Sequence, residues 1–468
     1  MGAGKSTHGR ALAERLGRPF VDVDEVIAAR EGASVTELFE RLGEPGFRKL
    51  EERTTAEALR AGQPSVVALG GGAPTSAPTR AALRERAFTL LLDVDADEAW
   101  ARVGGDETRP LARDRDAFVA LHASRRQLYE KTADARARDV DGALLAAAGV
   151  HVERGALQSL GELIPGDGPV ELVVDAHVSG IHGVHAQLAL GARDVTAHEV
   201  PRGEAAKTIA VVERLWRALR VGRDGTLVAL GGGATTDVGG FAAATYMRGI
   251  PWVAVPTTLV GQVDAAIGGK TAVDLPEVKN LAGAFHWPAR TVVDPLLLDT
   301  LPEAELQNGA AEVVKTGLLA GEPIWERPLH AQVRACAAFK AGVCLRDPHD
   351  RGPRNQLNLG HTFGHALEAA AGYELSHGGA VALGLVAALR LSANHLGLDP
   401  AVAGEIQGVL GARPVRVDRD AAWAALARDK KTERGVPRLV LLEAPGRPRW
   451  GVELPAADVR AALDELIA

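Results

Sequence analysis

Thr226-Leu227-Val228-Ala229-Leu230-Gly231-Gly232-Gly233 is the stretch on which the reading of the fold turns. A short unbroken apolar run that dissolves into glycines is the pattern of a buried strand ending where a helix begins, and Asp237 with Gly239-Gly240 follows it. Such a turn lets a pyrophosphate approach the backbone closely, although a tight structural turn would leave the same glycines. On either side, the apolar runs at 170–175 and 251–255 extend the pattern into an α/β region.

Beyond Leu301-Pro302 the character changes. Residues 303–319, 328–344, 362–371 and 379–396 read as helices rich in Ala and Leu, so a helical subdomain is expected to fill the last third. Toward the amino end, a helical pattern over 12–16 and apolar runs at 19–23, 65–69 and 87–94 surround the triplet Gly70-Gly71-Gly72. Alternation of this kind predicts a separate parallel sheet covered on both faces. The Ala- and Gly-rich stretch 139–168 ends in the turn cluster Pro165-Gly166-Asp167-Gly168 and holds the boundary, near Val150. The expected domains are 1–149, 150–302 and 303–468, since 468 residues exceed what one hydrophobic core normally supports.

Composition narrows the function. Acidic residues outnumber basic ones 60 to 53, and no basic run with interleaved aromatics occurs, which argues against a nucleic-acid partner. Two cysteines, Cys336 and Cys344, are too few for a disulfide framework and fit a reducing cytoplasm. The amino end shows no signal-peptide pattern, and no apolar stretch reads as long enough to span a bilayer; a cytosolic chain without a membrane partner is expected.

Gly2-Ala3-Gly4-Lys5-Ser6-Thr7 matches the end of a phosphate-cradling loop, in which backbone N–H groups and a lysine hold phosphates and a serine hydroxyl holds magnesium. Asp22-Val23-Asp24, Gly46-Phe47-Arg48, Gly70-Gly71-Gly72, Thr108-Arg109-Pro110-Leu111, and Arg125 four residues before Tyr129 follow in order. Together they resemble shikimate kinase. The resemblance implies ATP on residues 2–7 and Arg109, magnesium on Ser6 and Asp22, and shikimate on Asp24, Arg48, Gly71, Gly72 and Arg125. A small anionic acid calls for planar bidentate cations, and phosphoryl transfer for charge neutralisation. In P-loop kinases a central strand precedes the loop, whereas Met1 already lies within it. A gap in the sheet and weak phosphorylation of shikimate are therefore expected, with an upstream start codon as the favoured explanation and a non-catalytic front module as the alternative.

In the rear part, His361 and His365 stand one helical turn apart, with Glu312 upstream and His377 downstream. Two imidazoles and a carboxylate with an open position form a catalytic zinc set, although paired helix histidines are more often surface decoration. Pro201-Arg202-Gly203-Glu204-Ala205-Ala206-Lys207, Ala244-Thr245-Tyr246-Met247-Arg248-Gly249, Val255-Pro256-Thr257-Thr258-Leu259, Val263-Asp264-Ala265-Ala266-Ile267-Gly268-Gly269-Lys270 and Leu357-Asn358-Leu359-Gly360-His361-Thr362-Phe363-Gly364-His365 resemble 3-dehydroquinate synthase.

That resemblance implies zinc, or another divalent metal such as cobalt, on Glu312, His361 and His377, with His365 a substrate contact. It implies NAD on Asp175, Glu204, Lys207, Gly232, Gly233, Asp237, Thr257, Thr258 and Thr300, with Lys279 beside it. The substrate, 3-deoxy-D-arabino-heptulosonate 7-phosphate, would meet Arg248, Asp264, Lys270, Asn280, Lys315, Lys340, Arg354, Asn358 and Lys430. NAD would act catalytically, removing and returning one hydride around phosphate loss. A homodimer through the synthase part is the assembly this implies. Thr236 and Val278 stand where the family usually has glycine, which touches backbone near the cofactor, and the opening hairpin looks shortened around Val150. A zinc alcohol dehydrogenase of the glycerol-dehydrogenase type is the rival reading; handling neutral polyols, it would not need Lys270, Lys315, Lys340, Arg354 and Lys430.

Overall fold

Short apolar runs closed by turns become the strands of the first of two compact units, Met1–Ala148 and Gly149–Ala468. The computed structural model describes residues 2–104, 114–275, 278–372, 374–427 and 437–468. In the first unit β1 (Phe20–Asp22) pairs in parallel with β2 (Val66–Ala68), and β3 (Leu90–Leu92) with β4 (Ala135–Ala137). Among the described residues no strand joins the two pairs. A cavity of about 470 Å³ lies there instead, lined by Val67 and Leu69 on one side, Leu90 and Leu92 on the other, and Leu12 and Leu16 of helix α1 (Lys5–Leu16). Native interiors are close-packed, and an apolar cavity of this size is uncommon in them.

The second unit takes in both segments predicted at 150–302 and 303–468. Its sheet has six parallel strands in the order β5 (Val150–Val152), β12 (Arg290–Val293), β9 (Trp252–Pro256), β8 (Thr226–Gly231), β6 (Val170–Asp175) and β7 (Val195–Val200). Every residue of β6, β8 and β9 is buried, which is why these strands read as mostly apolar runs, Glu171 and Asp175 of β6 apart. Val150 therefore begins an edge strand of this sheet, paired in parallel with β12. From the carboxyl end of β8 the chain turns through Gly232 into helix α2 (Gly233–Thr245). An antiparallel ribbon of β10 (Lys270–Leu275) and β11 (Val278–Phe285) packs on that helix.

Four helices carry the site in the rear part: α3 (Glu303–Ala320), α4 (Leu329–Arg346), α5 (His361–Ala370) and α6 (His377–Leu396). A hairpin of β13 (Leu439–Ala444) and β14 (Arg447–Val452) closes over α6, so this part is not purely helical. A Cβ at Gly384 of α6 would lie 2.0 Å from the Gly360 carbonyl oxygen, so glycine is what lets α6 approach the start of α5. The expectation that no stretch is long enough to cross a bilayer needs correction, because α6 is long and apolar enough by length and composition alone. Its apolarity has another cause: 67% of its most apolar stretch is buried, and Val381, Leu385 and Leu389 belong to a large core cluster.

Candidate active site

Helices α3, α5 and α6 each contribute one side chain to a single point. His361 Nε2 lies 3.3 Å and His377 Nε2 3.2 Å from Glu312 Oε1. One ligand atom from each of the three residues lies within 4.8 Å of the others, a donor set that fits a metal with room for a further ligand. The other ring nitrogens are also engaged: His361 Nδ1 faces the Leu359 carbonyl at 3.1 Å, and His377 Nδ1 faces Glu368 at 3.5 Å. Burial pushes the carboxyl of Glu312 up, but Lys315 and His361 beside it win, and it sits well below the usual carboxylate range. Burial also lowers the pKa of His361. His377 is raised to about 10, because its contacts with Glu312 and Glu368 outweigh burial. A metal entering the site would displace that proton. His365 is exposed one turn beyond His361, their ring centroids 5.4 Å apart, so it flanks the cluster without joining it.

Cationic side chains adjoin this cluster. Lys315 contacts Glu312 one turn away and lies 3.8 Å from Asp264 Oδ2; Lys340 contacts Asp264 Oδ1 and donates to its carbonyl at 2.6 Å. Although buried, Lys315 has a raised pKa: burial opposes its charge, and Asp264 and Glu312 restore it. Arg354, 2% exposed, donates to the carbonyls of Gly268 at 2.9 Å and Pro348 at 3.2 Å. Lys270 at the start of β10 pairs with Asp350, and the Asn358 amide donates to the Asn355 carbonyl at 2.9 Å. Arg248 differs: it is exposed, holds φ 68° just past α2, and makes no ion pair or hydrogen bond among the described residues. Lys430 falls outside the described residues.

The glycine turn lies at the carboxyl ends of the parallel strands, where the backbone N–H groups opening α2 have no side-chain cap. A Cβ at Gly232 would come within 3.1 Å of Thr258, and one at Gly233 within 3.0 Å of Ala265. Buried Lys207 donates to Asp237 at 2.8 Å and to Asn280 at 2.5 Å, so one ammonium ties α2 to β11. Asn280 thus stands with two residues predicted for NAD, where the sequence reading had it among substrate contacts. Exposed Glu204 adds charge near Lys207. Asp175, ending β6, accepts the N–H groups of His177, Val178 and Gly203. The Thr257 N–H donates to the Gly231 carbonyl at 2.9 Å, Thr258 Oγ1 accepts from the Gly261 N–H at 3.1 Å, and Thr300 meets His182 at 3.0 Å. Half-buried Lys279 stands on β11 beside Asn280.

In the first unit Gly2 and Gly4 adopt φ 72° and 75°, and Lys5-Ser6-Thr7 opens α1 after Ala3. Ser6 donates to Asp22 Oδ2 at 2.6 Å, which joins the two residues predicted for magnesium. A Cβ at Gly72 would overlap the Arg48 guanidinium, and one at Gly70 would lie 3.0 Å from Asp24. Arg125 donates to the Gly71 carbonyl at 3.3 Å. The side chains of Asp24, Arg48 and Arg125 therefore all approach the Gly70-Gly71-Gly72 turn. Arg109 and the rest of its motif lie outside the described residues.

Comparison with known proteins gives this geometry a family. Residues 197–308 match the family model of the 3-dehydroquinate synthase N-terminal region and 309–432 that of its C-terminal region; 1–146 match shikimate kinase. The 3-dehydroquinate synthase of Bordetella pertussis is 41% identical over 345 residues, spanning 67% of this chain and 95% of that protein. The chain belongs to the 3-dehydroquinate synthase family. The relative from Gloeobacter violaceus is 42% identical over 349 residues, 68% of this chain and 96% of its own. Among solved structures, 2-epi-5-epi-valiolone synthase from Streptomyces hygroscopicus, with NAD+ and Zn2+ bound, is 28% identical with a TM-score of 0.60, covering 68% of this chain and 96% of that one.

As a 3-dehydroquinate synthase family enzyme with a shikimate kinase domain ahead of it, the chain carries charged residues that sequence reasoning missed. Asp350 pairs with Lys270, and Asp347 accepts the N–H groups of Arg351, Gly352 and Arg354, which pins the loop bearing Arg354. Glu51, 1% exposed, accepts from Arg48 at 2.6 Å in the kinase domain. For Glu368 a signal existed: it follows His361 by seven residues, two helical turns along the same face.

Proposed function

We propose that the second unit converts 3-deoxy-D-arabino-heptulosonate 7-phosphate to 3-dehydroquinate and phosphate with a divalent metal and NAD, and that the first phosphorylates shikimate from magnesium-ATP. The observation that carries the first half is the convergence of Glu312, His361 and His377 beside the Lys315–Asp264–Lys340 ion-pair chain. Zinc or cobalt, held by those three ligands, would supply Lewis-acid polarisation of a substrate hydroxyl, and NAD a reversible hydride acceptor.

The chain's own residues do the rest. Lys315, Lys340, Lys270 and Arg354 supply positive charge for a substrate carrying a carboxylate and a phosphate, with Asn358, Arg248, His365 and Lys430 as further contacts. Asp264 holds both buried lysines, which fixes where that charge stands. The open start of α2, with Gly232 and Gly233 close to Thr258 and Ala265, suits a pyrophosphate, and Lys207 with Asp237 bounds the same pocket. In the first unit Lys5 and the loop amides would hold ATP phosphates, Ser6 and Asp22 the magnesium, and Arg48 and Arg125 the shikimate carboxylate. Both cysteines are free and buried, which fits a chain kept in a reducing cytoplasm.

A second reading applies to the first unit alone. The cavity between β2 and β3 favours weak phosphoryl transfer, because the loop is anchored next to unfilled space. Assaying the purified chain separately for phosphate release from the heptulosonate phosphate and for ATP-dependent shikimate phosphorylation tests both halves. Strong release with weaker phosphorylation is expected; no release with both cofactors present would refute the synthase assignment, and full phosphorylation would refute the second reading.

A further inference from the structure

The two histidines facing Glu312 are secured differently. His361, its side chain 10% exposed, directs Nδ1 to the backbone carbonyl of Leu359, an acceptor no side-chain substitution removes. His377 is looser, at 33% side-chain exposure on the first residue of α6, and its Nδ1 faces Glu368 Oε2 at 3.5 Å. Glu368 lies near the end of α5, and its own side chain is only 8% exposed. A buried carboxylate is costly without a partner, and the imidazole of His377 provides one.

We propose that Glu368 is a positioning residue: by accepting the Nδ1–H of His377 it fixes the tautomer and ring orientation that direct Nε2 at the site shared with Glu312 and His361. The inference rests on the metal reading above. An imidazole with one nitrogen protonated toward a carboxylate presents the other's lone pair, and loss of such a partner typically weakens metal binding 10- to 100-fold. Glu368 reaches the site through His377 Nδ1, the ring nitrogen opposite the one that faces Glu312.

The test is cobalt(II) titration of the full chain, following dissociation constant and ligand-field absorption, with Glu368→Ala and Glu368→Gln. Glu368→Ala should weaken cobalt binding about 10- to 100-fold and change the absorption band. Glu368→Gln, which keeps an acceptor for Nδ1–H, should recover much of the affinity but still bind more weakly than the parent. An Ala variant matching the parent in affinity and spectrum overturns the inference. If the Ala variant does not fold, the Gln variant decides: unchanged affinity and spectrum overturn the proposal, and weaker binding with an altered band supports it. A parent chain that binds no cobalt would overturn the metal reading itself, whereas a parent that binds and an Ala variant that binds equally would overturn this inference alone.

Discussion

Gly378→Ala tests how the metal site is held. Gly378 follows His377 in the first turn of α6, its N–H bonded to the Asn308 side chain of α3. A Cβ there would lie 2.0 Å from the Asn308 carbonyl oxygen and 2.6 Å from the carbonyl carbon and Cα, all backbone atoms that cannot rotate away. Reaching ordinary contact requires α3 and α6 to separate by about 1.4 Å. Metal–ligand distances tolerate only about 0.2 Å, so His377 would be carried out of reach of a metal held by Glu312 and His361. Overpacking of this kind costs roughly 1–3 kcal/mol, which a folded domain survives, so the loss should appear in metal affinity before it appears in folding. Zinc affinity should fall at least about 100-fold by competition against a chromophoric chelator. Gly404→Ala is the control, since a Cβ there meets nothing within 4 Å; it should leave affinity alone and stabilise its own helix, Pro400–Leu410, by about 0.5–1 kcal/mol. A folded Gly378→Ala protein binding zinc within threefold of the parent would refute the reasoning.

Three other outcomes are expected. Lys207→Met should weaken NAD binding at least tenfold by calorimetry while zinc content stays unchanged, because Asp237 and Asn280 lose their shared ammonium; unaltered NAD affinity would contradict it. Lys270→Ala should lower kcat with zinc retained, and normal turnover would show that the Lys270–Asp350 pair stands outside the reaction. Burial pushes the Cys336 thiol up to about 12 from an ordinary 9.0, so it keeps its proton in the folded chain while the unfolded chain ionises. Its contribution to stability is complete below pH 9 and declines as pH climbs toward 12, and neither cysteine should react with a thiol reagent at pH 8 until the chain unfolds. Rapid labelling of native protein would count against this.

What could be read in the sequence followed burial. Strands β6, β8 and β9 are covered on both faces and so are mostly apolar, Glu171 and Asp175 of β6 apart, whereas edge strand β7 includes polar His198 and Glu199 and escaped notice. The tight pairing of His198 with buried Glu171 of β6, at 2.5 Å, has no local signature. The β13–β14 hairpin did carry one in Pro445-Gly446, where Gly446 adopts φ 79°, yet it was absorbed into an expected helical region. Glu312, His361 and His377 were named from motifs in separate segments, and the fold brings those segments together. Lys207 with Asn280, Lys270 with Asp350 and His377 with Glu368 are pairings between separate segments, and only the tertiary approach of the turn at Lys207 to β11, of β10 to the loop bearing Asp350 and of α5 to α6 creates them.

The central claim is that the second unit performs a phosphate-releasing reaction needing both its metal site and its nucleotide site. Metal-stripped, NAD-free protein, given 3-deoxy-D-arabino-heptulosonate 7-phosphate with zinc and NAD restored singly and together, measures it directly. Phosphate should appear only with both present, with many phosphates formed per NAD and no accumulation of NADH. Full-rate release with either one missing, or NADH rising in step with phosphate, would contradict the account.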